Sequence, residues 1–233
     1  MKITFISDTH TRHRNVEADL PGGDFLIHAG DFMNSGYHKE EATEFFTWFD
    51  GIKGYDKKIF IAGNHDRIMQ MEPDWAKMEL RNFKTIDYLQ DEGFAYYDMD
   101  MDHSTKIYGS PWQPEFFNWA FNLPRNGEEM QAKWDAILDD TDILITHGPP
   151  YGYLDVPGGK KIQVGCELLR ERVDAMKPKI HVFGHIHGSA GYYFNGHTHF
   201  INASVLDERY TYTNLPLTFE WDRITNEIQW QRD

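Results

Sequence analysis

Lys2-Ile3-Thr4-Phe5-Ile6-Ser7-Asp8-Thr9-His10 begins as an apolar run and ends in an aspartate and a histidine two residues apart. Far downstream, His181-Val182-Phe183-Gly184-His185-Ile186-His187 ends in the same way, with two histidines. In an extended chain, side chains at i and i+2 point to one face, so each run is expected to finish with two metal-competent groups aimed together. Between them lie Gly30-Asp31, Gly63-Asn64-His65-Asp66 and Thr146-His147-Gly148, each behind another β-like run. A chain that closes strand after strand with Asp, Asn or His is assembling one polar site along a common sheet edge.

Working outward, strands are expected at Lys2–Ser7, Asp24–His28, Lys58–Ala62, Thr105–Tyr108, Asp142–Thr146, Lys179–Phe183 and His199–Ala203. Most are short and nearly continuously apolar, as strands covered on both faces should be. Helical stripes fall between them. One carries Ala42, Phe45, Phe46, Phe49 and Ile52, and a second Met130, Trp134, Ile137 and Leu138. A third runs from about Val164 to Lys177 and stops at Pro178, and a shorter one opens at Pro73-Asp74 and passes through Trp75 and Met78. Asn195-Gly196, between Tyr192–Phe194 and His197–Phe200, reads as a type I′ hairpin. Leu217–Trp221 and Glu227–Gln231 read as a final antiparallel pair. Strands and helices alternate early and hairpins come late, which predicts an α/β sandwich with mixed sheets. No repeat or low-complexity linker divides the chain, so residues 1–233 are expected to form one domain.

Composition narrows the function. Of 233 residues, 40% are hydrophobic and 15% aromatic, which excludes a disordered chain. A formal net charge of -14 argues against a long polyanionic partner such as duplex DNA. The single cysteine, Cys166, shares a helical face with Leu169, Val173 and Met176, so a core role is expected rather than a reactive thiol. No signal peptide is visible ahead of the first strand, and no apolar run approaches the roughly 20 residues of a membrane span. A soluble protein of a reducing compartment, by default the cytoplasm, is the expectation.

The candidate ligands are Asp8, His10, Asp31, Asn64, His147, His185 and His187. Seven are too many for one tetrahedral zinc site but suit two divalent ions sharing a carboxylate. Oxygen donors mixed with imidazoles favour manganese, with iron, zinc or magnesium compatible, over a thiolate-loving metal. Two divalent cations outweigh the charges of Asp8 and Asp31, so the pocket would be net positive and suited to a phosphate.

These motifs, Asp-x-His, Gly-Asp, Gly-Asn-His-Asp, Thr-His and Gly-His-x-His in that order, resemble the calcineurin-like metallophosphoesterase family over most of the chain. The runs His28-Ala29-Gly30-Asp31-Phe32, Gly109-Ser110-Pro111-Trp112-Gln113-Pro114 and Thr146-His147-Gly148-Pro149-Pro150 resemble its branch of metallophosphoesterase domain-containing proteins. The resemblance implies a four-layer αββα sandwich with the metals at the C-terminal ends of strands. It implies that Asp8, His10, Asp31 and His187 hold one metal, and that Asp31 bridges to a second held by Asn64, His147 and His185. His65 would assist the leaving group while a metal-bridging hydroxide attacks phosphorus. The branch points to a phosphodiesterase acting on small phosphodiesters, cyclic nucleotides among them. The alternatives are a phosphomonoesterase acting on phosphoprotein or nucleotides, a non-catalytic metal-binding interaction module, and a nuclease acting on long DNA. The chain is expected to differ from the branch in lacking an extended N-terminal segment, and it carries Gly188 where an acidic residue is expected.

Other features have competing readings. Asp66 either orients His65 or caps local backbone. Arg12, His13 and Arg14 either reach a substrate phosphate or form a solvated basic loop. Core packing is expected to claim most of Trp112, Phe116, Phe117, Trp119 and Phe121, although a nucleobase could stack on one of them. His197 and His199 are expected to be ordinary strand histidines, and Lys160 and Lys161 to lie on a loop near the site. Asp98-Met99-Asp100-Met101-Asp102 imitates a calcium loop but has His103 and Gly109 where the loop needs Gly and Glu, so it reads as an acidic turn.

Overall fold

A computed structural model describes residues 1–98 and 103–230. Most of the Asp98–Asp102 run therefore lies outside the described residues. The chain opens with strands β1 (Lys2–Ile6) and β2 (Gly23–His28), helix α1 (Lys39–Gly51) and strand β3 (Tyr55–Phe60). Helices α2 (Arg67–Met71) and α3 (Pro73–Leu80) then lead into β4 (Ile86–Tyr88), β5 (Glu92–Asp98) and β6 (His103–Ser110). Two short strands, β7 (Gln113–Pro114) and β8 (Asn122–Leu123), precede α4 (Glu128–Asp135), β9 (Ile143–Thr146), α5 (Glu167–Met176) and β10 (Ile180–Phe183). Strands β11 (Gly191–Phe194), β12 (His199–Asn202), β13 (Leu217–Trp221) and β14 (Ile228–Trp230) follow.

The strands build two mixed six-stranded sheets. One has the order β14-β13-β1-β2-β3-β4, with β1 to β4 parallel and β13 antiparallel to β1. The other has the order β11-β12-β10-β9-β6-β5, parallel from β12 to β6 with an antiparallel strand at each edge. Period-two alternation explains the apolar runs, because each strand feeds two cores. Ile3, Phe5, Phe25 and Ile27 meet Ile143, Ile145, Ile180 and Val182 between the sheets. Leu26 and Phe60 point outward onto Phe45, Phe46 and Phe49 of α1. On the far side Tyr108, Leu144 and Phe183 pack on Met130, Trp134, Leu169 and Val173 of α4 and α5. Three cores between four layers make the expected αββα sandwich.

Several boundaries differ from the sequence reading, each for a local reason. The hairpin pairs Phe194 with His199, so its loop is Asn195–Thr198 rather than two residues. Asn195 Oδ1 accepts from the His197 and Thr198 N–H groups at 2.9 and 2.8 Å, and among these loop residues only Gly196 is left-handed, so the turn is not type I′. Helix α5 starts after Cys166, whose Sγ accepts from Leu169 N–H, while Arg125 holds the carbonyls of Val164 and Gly165 outside the helix. Cys166 is buried, and burial pushes its thiol up, away from reactivity. Strands β4 and β5 were not foreseen, although Phe94 and Tyr96 alternate toward the inter-sheet core.

Candidate metal centre

The ligand-bearing loops leave the C-terminal ends of β1, β2, β3, β9 and β10, where the two sheets come together. Val205 N–H donates to Ser7 O across the sheets at 3.0 Å, and both Asp8 carboxylate oxygens accept from His185 N–H at 3.0–3.1 Å. One cluster holds Asp8, His10 and His187, a second His10, Asp31 and His65, and a third Asp31, His147 and His185; within each, the donor atoms lie within 4.8 Å of one another. Asn64 joins the third through its Oδ1, 2.9 Å from His147 Nε2. All eight residues singled out from the sequence therefore meet at one site, with Asp31 and His10 common to neighbouring clusters.

Strand alternation, the expected cause of this convergence, does not produce it. Strands β1 and β10 end at Ile6 and Phe183, before the ligands begin. Asp8, His10, Asp31 and His185 all have positive φ, between 41° and 66°, a region that costs a side-chain-bearing residue energy and that concentrates at functional sites. These left-handed turns aim the side chains, and they send His185 and His187 to different clusters. Close approach also needs glycine. A Cβ on Gly184 would lie 2.0 Å from Asp8 Oδ2, and one on Gly63 2.3 Å from Asp31 Oδ1.

The imidazoles are oriented for coordination. The Nδ1–H groups of His10, His147 and His187 donate to the carbonyls of Met33, Ala29 and Asp207 at 3.1, 2.9 and 2.9 Å. That leaves each Nε2 facing inward: His187 3.3 Å from Asp8, His147 3.3 Å from Asp31, and His10 3.8 Å from Asp31. His10 Nε2 is buried with no hydrogen-bond partner. Once the Nε2 atoms of His147 and His187 give up their protons, the inward nitrogens, the buried carboxylates and the Asn64 carbonyl oxygen offer only acceptors, a cage that a cation would satisfy. Nitrogen and oxygen donors with no thiolate fit a hard or borderline divalent ion.

Electrostatics agree. Burial pushes His10 and His185 down to about 4 and about 3, so both are neutral and able to ligate. Burial also opposes a charge on His147 and His187, but Asp31 and Asp8 respectively raise them to about 9. Without metal, each of these pairs is thus an ion pair. Burial resists the Asp8 charge too, yet His187 holds that carboxyl well below its ordinary value.

His65 takes a different place. Its N–H donates to Asp31 Oδ1 at 2.7 Å, its Nδ1 lies on Asn34 O, and its ring stacks on Trp119 with centroids 3.9 Å apart. Asp66 does not orient it. Its buried carboxylate accepts from the N–H groups of Gly63, Asp31 and Met33 at 2.7–2.9 Å, so it braces the loops after β2 and β3. Burial and the Asp31 charge push that carboxyl up, and the N–H donors pull it back.

The remaining candidates separate clearly. His13 is buried against Trp48 and Glu44, Arg14 pairs with Glu44, and Arg12 reaches the carbonyl of Tyr210. Only Phe121 and, half-buried, Trp112 join the core; Phe116 and Phe117 are exposed, and Trp119 serves His65, so core packing claims fewer of these rings than expected. His199 is buried in β12 between Tyr192 OH and Asn226 O, outside the metal-competent clusters found among the described residues. Gly188 has a steric reason: a Cβ there would lie 2.3 Å from Gly158 N and 2.8 Å from Glu208 Oε1. The sequence reading missed Ser204, whose hydroxyl donates to Asp8 at 2.8 Å, and Tyr210, whose ring lies 4.8 Å from that of His10. Neither sits in a recognisable run.

A family model described as calcineurin-like phosphoesterase matches residues 1–189. Metallophosphoesterase domain-containing protein 1 of Homo sapiens and its Mus musculus counterpart are each 40% identical over 234 residues, covering 94% of this chain and 70% of theirs. Among solved structures, TT1561 of Thermus thermophilus superposes with a TM-score of 0.65 at 14% identity, over 98% of this chain and 96% of that one. Phosphopantetheinyl hydrolase of Mycobacterium tuberculosis superposes with a TM-score of 0.58 at 14% identity, over 90% of each chain. The solved structures share the fold; the family model and the curated relatives carry the assignment. This chain belongs to the calcineurin-like phosphoesterase family, and is a metal-dependent phosphoric ester hydrolase of the kind that uses a dinuclear divalent centre.

Proposed function

We propose that the chain is a phosphodiesterase acting on small phosphodiesters, cyclic nucleotides among them, in the cytoplasm and with manganese as its favoured metal. Asp8, His10, Asp31 and His187 would hold one ion, and Asn64, His147 and His185 the other, with Asp31 shared. The observation that carries this reading is the set of inward Nε2 atoms, the unpartnered one of His10 included, around the two buried carboxylates. When bound, the two ions supply a hydroxide nucleophile at neutral pH and offset the charge that develops on the phosphoryl oxygens.

The chain's own residues do the rest. The carbonyls of Met33, Ala29 and Asp207 fix the ring orientation of three ligands, so little reorganisation is needed during turnover. His65 stands at the edge of the centre with Nδ1–H committed to Asn34 O, so the Nε2–H of the protonated ring would deliver the proton to the departing oxygen and leave the ring neutral. The stacked Trp119 ring holds the imidazole in place. The resemblance of the sequence motifs to the metallophosphoesterase domain-containing branch, rather than any residue of the site, favours a diester over a monoester of phosphoprotein or nucleotide.

His65→Ala tests this reading. The variant should keep both ions by elemental analysis while turnover of a diester falls about a hundredfold or more. An equal loss explained by missing metal would refute the assigned role. Assaying a diester and a monoester in parallel, with manganese, zinc, iron or magnesium restored to the metal-stripped protein, separates the substrate classes.

A further inference from the structure

A cleft of about 380 Å3 opens beside His185 and His187, and the metal ligands do not account for it. Pro114, Phe116, Pro149, Pro157, Val164 and Ile186 give it mainly apolar walls. Its charged residues cancel, Arg125 and Lys160 against Glu115 and Glu208. Arg125 is moreover committed, donating to the carbonyls of Gly165 and Val164 at 2.6 and 2.8 Å and to Glu167 at 2.8 Å. The cleft's own charged side chains therefore offer a second anionic group no net attraction beyond that of the metal centre, while its apolar walls would cost that group its water.

Phe116 is 49% exposed, yet it is held firmly. Strands β7 and β8 pair on either side of its loop, and Asn122 Nδ2 donates to the carbonyls of Phe116 and Phe117 at 3.3 and 2.9 Å. Its ring stands edge-on to His185, with centroids 5.9 Å apart. A large apolar side chain fixed in the open beside a reactive centre is a recognition surface. His65 and Trp119 do not line this cleft. An acyclic phosphodiester has two separate substituents; with the leaving one at His65, the other needs a place, and the cleft adjoins the same centre.

We propose that this cleft is the subsite for the non-leaving substituent of the substrate, that it selects an uncharged ring, and that Phe116 is its specificity-determining residue. This rests on the diester reading above. The test uses the metal-loaded full chain and three esters with one leaving group: p-nitrophenyl phenyl phosphate, p-nitrophenyl methyl phosphate and p-nitrophenyl 4-carboxyphenyl phosphate. The phenyl ester should exceed each of the others in kcat/KM by about tenfold or more. In Phe116→Ala the phenyl-to-methyl ratio should fall toward one. Calorimetry should show the same preference, and the same collapse, for phenylphosphonate over methylphosphonate, independently of turnover. If the diesters turn over with equal kcat/KM, or if the phenyl preference survives in Phe116→Ala, the subsite assignment is overturned on its own. If no diester turns over while p-nitrophenyl phosphate does, the diester reading falls and the subsite with it.

Discussion

At the scale of single residues the site depends on shared groups. Asp31 uses Oδ1 for the His65 N–H and presents Oδ2 to both His147 and His10. Asp31→Asn should therefore lower the content of both ions together, because the amide keeps the shape but removes the charge that both clusters share. Elemental analysis after dialysis checks this; a protein that retains two ions contradicts it. The convergence of these residues was readable from the sequence because each candidate ligand sits in a short run with its own strand behind it. Ser204, Tyr210 and the bracing role of Asp66 were not readable, since contacts between residues 8 and 204 or 10 and 210 leave no local pattern.

At the scale of elements, the helix-sheet contacts show what a hydropathy pattern conceals. Lys58 lies in β3 yet is only 2% exposed, and its Nζ donates to the carbonyls of Asp50 and Ile52 at 2.5 and 2.9 Å, at the end of α1. A cation there satisfies terminal carbonyls and complements the negative end of the helix. Lys58→Met should destabilise the fold by about 1–3 kcal/mol, read from urea unfolding with an unchanged slope. An unaltered midpoint would show the cap to be dispensable. The main strands and α1 were legible because apolar residues recur at the right periods. The edge strands β4 and β5 and the exact start of α5 were not, because partners elsewhere in the chain decide them.

At the scale of the whole molecule, metal loading and folding are linked through protons. In the metal-free protein the folded pKa values of His147 and His187, about 9, lie above the ordinary 6.5. Their contribution to stability is fully present below pH 6.5 and is lost as the pH rises through about 9. The metal-free protein should therefore lose thermal stability across that window, whereas the loaded protein, whose imidazoles ligate as neutral rings, should not. Manganese added at about pH 7 should release these protons, which calorimetry in two buffers of different ionisation enthalpy would detect; heats independent of the buffer would contradict it. The sequence by itself determined the donor types, their order and the strand behind each, because residue chemistry and hydrophobic period are local properties. Only the tertiary structure decided which donors lie together and which backbone turns aim them. Those depend on two sheets packing face to face, a long-range arrangement set by the core between them rather than by any one stretch of chain.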